Sequence, residues 1–163
     1  MPKKKTDPTS THPVLIILRH AHRDTSQGNH LDNGLSEKGW TQAKKIRKYY
    51  KKNVNYKEPL ILSSPKIRCI ETVEKLAKAT NVEIQISELL NEGGDLLSKT
   101  LKLTEELLKT TQPLTVLCSH GDVIPILLHR LTGSEILLSK GGWIQLERLG
   151  GQYHLQWILQ EIS

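Results

Sequence analysis

The stretch that most constrains the fold is Val14–Leu18, five consecutive apolar residues followed at once by the cationic run RHAHR at residues 19–23. The apolar run is short and rich in β-branched residues and leucine, which predicts a strand buried on both faces. In open α/β sheets, ligands bind at the carboxyl ends of such strands. Two guanidiniums and two imidazoles are costly to desolvate there unless an anion shares their charge. We therefore expect an anion site that includes His20.

Composition limits the classes to which the chain can belong. With 163 residues, 37% hydrophobic and 25% charged, it is expected to form one soluble domain over residues 13–163, preceded by a flexible leader at residues 1–12. The net charge of +6 comes with only 4% aromatic residues, which argues against a nucleic-acid partner. No apolar run is long enough to span a membrane. Cys69 and Cys118 show neither metal-ligand spacing nor a disulfide pattern, so a cytoplasmic location is expected.

Strand and helix patterns alternate along the chain. Strands are predicted at residues 14–19, 59–62, 82–86 and 114–118, helices at 37–52, 63–79, 96–109 and 123–131, and a closing hairpin at 143–149 and 152–159. We interpret Ser36 as the N-cap of the first helix, with Ala43, Ile46 and Tyr50 on its apolar stripe. Pro65 is expected in the first turn of the second helix. Leu101, Leu107 and Leu108 are among the apolar positions of the third.

This order of elements predicts the architecture. Strands that alternate with helices form a mainly parallel central sheet with helices on both faces, and the hairpin around Gly150-Gly151 adds an antiparallel pair at its edge. Polar groups suited to phosphate follow three of the core strands. Arg19, His20 and Arg23 follow the first, Ser63-Ser64-Pro65 leads from the second to Arg68, and His120 follows the third. Their joint placement at one edge of a sheet is hard to explain by packing.

Four motifs in order resemble the histidine phosphatase superfamily, in the branch that holds the cofactor-dependent phosphoglycerate mutases and small phosphohistidine phosphatases. They are Arg19-His20-Ala21-His22-Arg23, the segment from Gly34 to Ala43, Ser63-Ser64-Pro65 through Arg68 to Glu71-Thr72, and Ser119-His120-Gly121. The resemblance covers about residues 14 to 130. It implies a three-layer αβα sandwich of the phosphoglycerate mutase-like kind, with the site at the carboxyl ends of the strands.

Carried over by position, the resemblance implies a role for each site residue. His20 is the nucleophile that becomes phosphohistidine, and Glu92 is the acid/base residue, with Glu88 and then Asp24 as weaker alternatives. His120 is the second active-site histidine and binds the phosphoryl oxygens. The other phosphate-binding residues are Arg19, Arg23 and Arg68. Many mutases have Ser or Thr at the position of Arg23, which favours hydrolysis here.

These roles agree with the chemistry of phosphoryl transfer. The transition state spreads negative charge over the phosphoryl oxygens, which the planar, permanently charged Arg side chain binds well. The attacking imidazole must be neutral, and we expect a backbone carbonyl to hold its other nitrogen. Nearby Arg residues are expected to depress the pKa of His20 by like-charge repulsion. Because these cations neutralise the phosphoryl group, no metal and no cofactor are expected.

Three functions remain open at this stage. The leading hypothesis is a metal-independent phosphatase that hydrolyses phosphomonoesters or protein phosphohistidine through phospho-His20. A phosphoglycerate mutase-like phosphotransferase is the alternative, although the short chain lacks the long insertions of mutases. A catalytically silent phospho-ligand binding module is the third. The expected partner is a phosphorylated small molecule or a phosphoprotein, and Lys66 and Lys140 are expected to be ordinary surface charges.

Overall fold

The computed structural model describes residues 12–163, so the predicted leader, apart from its last residue, lies outside the described residues. The strands are β1 (Val14–Arg19), β2 (Leu60–Ser63), β3 (Ile84–Ile86), β4 (Leu114–Ser119), β5 (Trp143–Leu149) and β6 (Gln152–Leu159). The α-helices are α1 (Glu37–Asn53), α2 (Ile67–Thr80), α3 (Leu96–Lys109) and α4 (Val123–Thr132). A single 3₁₀ turn, Glu88–Leu90, lies in the segment predicted to be a loop.

One six-stranded sheet carries the fold, in the order β3-β2-β4-β1-β5-β6. The first four strands of that order are parallel to one another, whereas β5 runs antiparallel to both β1 and β6. Gly150 and Gly151 form the turn between β5 and β6 with positive φ angles of 58° and 77°, which glycine adopts without strain. The predicted mainly parallel sheet with a closing hairpin is therefore confirmed.

The alternation of side chains along β1 separates two hydrophobic cores. Val14, Ile16 and Leu18 pack with apolar residues of α1 and α2 on one face of the sheet. Leu15 and Ile17 pack with apolar residues of α3 and α4 on the opposite face. Since the side chains of a strand point to opposite faces in turn, a strand that is apolar throughout must be covered on both sides. The three-layer αβα sandwich is thus confirmed.

The helix starts show where local sequence signals hold and where they fail. Ser36 caps α1 as predicted, because its Oγ accepts a hydrogen bond of 3.1 Å from the backbone N–H of Gly39. Pro65, in contrast, does not lie in the first turn of α2, and that prediction was wrong. The strand β2 extends to Ser63, the next three residues form a turn, and the helix begins at Ile67. Because the strand ends one residue later than predicted and the helix begins only at Ile67, Pro65 lies in the turn between them.

The residues that α3 buries are not all of the leucines predicted to be its apolar positions. Leu107 is buried, but Leu101 and Leu108 are 47% and 40% exposed. Thr100 and Thr104 are buried instead, and each hydroxyl donates to the carbonyl oxygen four residues earlier. A threonine that satisfies its own hydroxyl within the helix can face the core at little cost, so it takes positions that hydrophobicity alone assigns to leucine.

Within residues 12–163, no helix has the length and apolar character needed to cross a membrane.

Candidate active site

The pairing of three parallel strands brings the candidate residues together. Arg19 at the end of β1 is paired with Ser119 at the end of β4, and Ser63 at the end of β2 is paired with Cys118. The residues that follow these ends are His20, Ser64 and His120. Backbone hydrogen bonds of 3.1 Å continue the pairing, from His20 N–H to Ser119 and from Ser64 N–H to Cys118. The sheet register therefore places both histidines at one edge, with ring centroids 5.4 Å apart.

His20 is held as a neutral imidazole with one free nitrogen. Its side chain is 5% exposed, and Nδ1 lies 2.8 Å from the carbonyl oxygen of Ala21. A carbonyl oxygen can only accept, so Nδ1 carries the proton and the lone pair is on Nε2. This confirms the predicted carbonyl partner and leaves the lone pair on Nε2.

The pKa of His20 is lowered to about 3. Burial is the largest cause. The positive charges of Arg68 and Arg19 and the nearby His120 add to it, while the hydrogen bond to Ala21 acts in the opposite direction. The predicted direction holds, but the main cause differs from the predicted repulsion by arginines. Removing the imidazole from water disfavours its charged form more than the neighbouring charges do.

His120 is fixed at both ring nitrogens. Its Nδ1 is 3.2 Å from Arg68 Nη2, and its Nε2 is 2.7 Å from the hydroxyl oxygen of Ser64. A guanidinium only donates, so Nδ1 is the acceptor in this state and Nε2–H donates to Ser64. The side of His120 that carries Nδ1 thus faces Arg68.

Glu92 supplies the negative charge in this cluster. One carboxylate oxygen lies 2.6 Å from Arg68 Nη2 and 3.6 Å from His120 Nδ1. Burial raises the pKa of Glu92, but the hydrogen bond and charge of Arg68, with the charges of His120 and Lys66, lower it more. The carboxylate is therefore ionised at neutral pH. It contacts the two groups that the resemblance assigns to phosphate binding.

Arg19 closes the site from the side of β1. Its Nη1 donates to the carbonyl oxygen of Leu138 over 2.9 Å. The guanidinium lies so close to Gly121 that a Cβ there would come within 2.8 Å of it, so a larger residue at this position would require the Arg19 side chain to shift. Burial lowers the pKa of Arg19, and the charge of Asp122 raises it. Within the described residues, the buried Nε atoms of Arg19 and Arg68 have no hydrogen-bond partner.

Arg23 lies at the margin of this arrangement. Its backbone pairs with that of Leu35, which fixes the segment after the nucleophile against the start of α1. Its charge, like those of Arg19 and Arg68, acts on the ammonium group of Lys140. Arg23 therefore shares an electrostatic environment with the other two arginines, and its role as a phosphate ligand stays a prediction.

The weaker acid candidates have no described contact with the two histidines. Glu88 is exposed and accepts a hydrogen bond from the side chain of Asn91. Asp24 is exposed and accepts from the backbone N–H of Ser26. His22 is half-buried and its Nδ1 lies 2.7 Å from the hydroxyl oxygen of Ser36. The contacts thus place Glu92, and neither alternative acid, beside Arg68 and His120.

Several supporting residues lie inside the sequence motifs, but motif analysis assigned them no role. Thr72 accepts from the backbone N–H of Ala21 over 2.9 Å and donates to the carbonyl of Arg68 over 2.6 Å, which links the nucleophile's loop to α2. Ser64 orients His120. The only signal for these roles was membership of a motif, because their partners are about fifty residues distant in sequence.

Both cysteines are buried and free, and one of them adjoins His120. Cys69 Sγ lies 3.5 Å from His120 Nε2 and 3.7 Å from the carbonyl oxygen of Ser119. Cys118 is buried next to it in the core beneath α2. Within residues 12–163, no group of three or more His, Cys, Asp or Glu side chains is arranged to hold a metal ion.

Comparison with known proteins identifies similar sequences and folds. The sequence model described as "Histidine phosphatase superfamily (branch 1)" matches residues 15–99. No curated protein sequence matches significantly. Among solved structures, the chain is similar to the protein histidine phosphatase SixA complexed with tungstate (TM-score 0.71, 18% identity, 90% of this chain and 96% of that one). It is also similar to a mycobacterial glucosyl-3-phosphoglycerate phosphatase (TM-score 0.72, 21% identity, 93% of this chain and 100% of that one). A third similar structure is that of an Entamoeba histolytica phosphoserine phosphatase mutant in complex with phosphoserine (TM-score 0.72, 21% identity, 90% of this chain and 96% of that one).

The low pKa of His20 predicts an acid-sensitive fold. The unfolded chain binds a proton at this residue below about pH 6.5, whereas the folded chain does so only near pH 3, so stability falls as the pH drops through this window. Between pH 7 and pH 5, this residue should remove about 2 kcal/mol from the free energy of unfolding. Urea unfolding of the wild type and of His20→Asn at both pH values measures the difference. An equal loss in the two proteins would contradict a buried neutral His20.

Proposed function

The chain belongs to branch 1 of the histidine phosphatase superfamily, and we propose that it hydrolyses phosphomonoesters or protein phosphohistidine through a phosphohistidine formed on His20. The observation that carries the proposal is the state of this imidazole. Nδ1 is held by the carbonyl of Ala21, which leaves the lone pair on Nε2. The His20 ring lies 5.4 Å, centroid to centroid, from the ring of His120, and Arg68 contacts His120. A neutral nucleophile next to fixed cationic donors is what phosphoryl transfer requires.

The relatives of similar fold support phosphatase chemistry without indicating one substrate. SixA is described as a protein histidine phosphatase, and the other two neighbours are described as phosphatases of a glucosyl-phosphoglycerate and of phosphoserine. Hydrolysis is the feature that their descriptions share. We therefore propose hydrolysis as the reaction and do not assign one leaving group.

In the first half-reaction, the phosphoryl oxygens bind the guanidiniums of Arg19 and Arg68. Arg23 is proposed as a further ligand. His20 Nε2 attacks phosphorus, the new P–N bond forms, and the bond between phosphorus and the leaving oxygen breaks. When the phosphoryl dianion binds, His120 takes up a proton on Nδ1. This nitrogen then donates a hydrogen bond to the phosphoryl oxygens, while Nε2–H still donates to the hydroxyl of Ser64. The positive charge comes from side chains, and we propose that no metal takes part.

Glu92 is proposed to supply the proton for the leaving group. In the free protein it is ionised because Arg68 holds it. An incoming phosphoryl dianion takes over the N–H groups of Arg68 and repels the carboxylate, and both effects raise the pKa of Glu92. The carboxyl group then takes up a proton and donates it to the leaving oxygen. In the second half-reaction, the carboxylate accepts a proton from the water that attacks phosphorus. The new P–O bond forms, the bond between phosphorus and His20 Nε2 breaks with return of the electron pair to the imidazole, and phosphate is released.

Removal of the nucleophile tests the proposal. The wild type should release phosphate from p-nitrophenyl phosphate, and His20→Ala should lower kcat by at least about 10³-fold, because no other side chain replaces the attacking nitrogen. His129→Ala, which removes an exposed histidine of α4, is the matched control and should keep the wild-type rate. An undiminished rate in His20→Ala would contradict the proposal. Conversion of 3- to 2-phosphoglycerate without net phosphate release would instead indicate a mutase.

The role of Glu92 depends on the leaving group. Glu92→Gln should lower kcat for an alkyl phosphate by about 10²- to 10⁴-fold, since an alkoxide needs a proton as it departs. The loss should be much smaller for p-nitrophenyl phosphate, whose leaving group is stable as an anion. Glu88→Gln is the control that removes the charge of the alternative acid. Steady-state rates of all three proteins with both substrates decide the question, and a loss in Glu88→Gln alone would assign the role to Glu88.

A further inference from the structure

The loop that carries Glu92 has little regular structure of its own. Residues 91–95, between the 3₁₀ turn and α3, form neither helix nor strand. Gly93 and Gly94 both have a φ of 69°, and glycine is the residue with the most conformational freedom to lose on folding. The Glu92 side chain is 41% exposed, and its carboxylate is bound to Arg68. Since the proposed mechanism breaks this ion pair when a phosphoryl group binds, another restraint must then hold the loop.

The side chain of Lys99 provides such a restraint. Its ammonium donates to the carbonyl oxygens of Asn91 and Gly93, each over 2.7 Å. These carbonyls belong to the residues on either side of Glu92. Lys99 lies in the first turn of α3, and helical side chains lean toward the N-terminus, so the ammonium reaches back over the preceding loop. Among residues 12–163, Lys99 forms no ion pair, and its ammonium is bound to these two carbonyls.

The loop is also bound to the segment that carries His120. The backbone N–H of Gly93 donates to the Asp122 carboxylate over 2.9 Å, and the hydroxyl of Ser119 donates to the carbonyl of Leu90 over 2.7 Å. Ser119 ends β4, and Asp122 lies directly before α4, so the two contacts flank His120 along the chain. Together with the lysine ammonium, they restrain the backbone of the loop without any contribution from the carboxylate that it carries.

We propose that Lys99 is a positioning residue for the proton transfer from Glu92. By binding the carbonyls on both sides of Glu92, its ammonium keeps the carboxyl group beside the leaving oxygen after a phosphoryl group has displaced it from Arg68. This inference rests on the proposed function and adds a residue on which one step of it depends. A displacement of about 1 Å at a reacting group can cost about 10²-fold in rate, so a restraint on the loop has a measurable effect.

Lys99 is a better site for the test than Asp122. The charge of Asp122 also acts on Arg19, so its removal would change the phosphate-binding side of the site. Lys99→Met removes the N–H donors and keeps the aliphatic part of the side chain, whereas Lys99→Arg keeps a positive charge and N–H donors. Lys102→Met removes an exposed lysine of the same helix and changes the net charge equally, so it is the matched control.

The first experiment compares leaving groups. The alkyl phosphates are phosphoserine and β-glycerophosphate, and the reference is p-nitrophenyl phosphate, whose leaving group is stable as an anion. The quantity to measure is kcat/KM, because it reports the steps up to departure of the leaving group. Lys99→Met should lower it about 10- to 100-fold for an alkyl phosphate that the wild type hydrolyses, and much less for p-nitrophenyl phosphate. Lys99→Arg should recover most of the loss, and Lys102→Met should keep the wild-type value.

The second experiment asks whether Lys99 acts through Glu92. In a Glu92→Gln background, Lys99→Met should cause no further loss with the alkyl phosphate, because the group that it positions is already absent. A general structural role would cost the same factor with and without the carboxyl group. Retained hydrolysis of p-nitrophenyl phosphate by Lys99→Met shows that the variant folds.

Each outcome decides one claim. Equal losses of Lys99→Met with both kinds of substrate, equal losses with and without Glu92, or no loss at all would overturn the positioning role while the phosphatase function stands. If the wild type hydrolyses p-nitrophenyl phosphate but neither alkyl phosphate, or if Glu92→Gln has no effect, the proposed role of Glu92 fails and the inference fails with it. If no phosphate is released from any substrate, the proposed function itself fails.

Discussion

The pairing of β1 with β4 is the constraint on which the site depends. Arg19 opposite Ser119 in a parallel register means that the residues after the two strands, His20 and His120, leave the sheet side by side. A shift of one residue in either strand would send its side chains to the opposite face and separate the two rings. The register is fixed by the cores on the two faces, because β1 and β4 are apolar at almost every position and buried on both sides. Packing in the interior thus sets the geometry at the edge.

The second dependence is electrostatic. Burial keeps His20 neutral, and the carbonyl of Ala21 selects the nitrogen that carries its proton. Arg68 is also buried, and its positive charge would destabilise the fold unless an anion were near. Glu92 is that anion. One carboxylate therefore stabilises the buried Arg68 and, in the proposed mechanism, becomes a proton donor once a phosphoryl group replaces it there. In this account a single ion pair links the stability of the free protein to the chemistry of the bound one.

Much of this was visible in the sequence, for physical reasons. Apolar runs that end in Arg19-His20 and in Ser119-His120 predict strand ends, and parallel strands bring their ends to one edge. What could not be predicted depends on contacts between distant segments. The hydroxyl of Ser64 on His120 and that of Thr72 on the Ala21 N–H follow from how α2 lies on the sheet, which no local pattern records. The exposed Leu101 shows the same limit, since buried threonines of α3 satisfy their own hydroxyls and displace leucines from the core face.

The most direct measurement of the central claim is a crystal structure of the wild-type protein with orthovanadate. The account predicts vanadium bonded to His20 Nε2, with its oxygens in contact with the guanidiniums of Arg19 and Arg68 and with His120 Nδ1, and with the Glu92 carboxyl group displaced from Arg68. An oxyanion bound away from His20, or a His20 ring that turns its Nε2 away from the other three residues, would contradict the account.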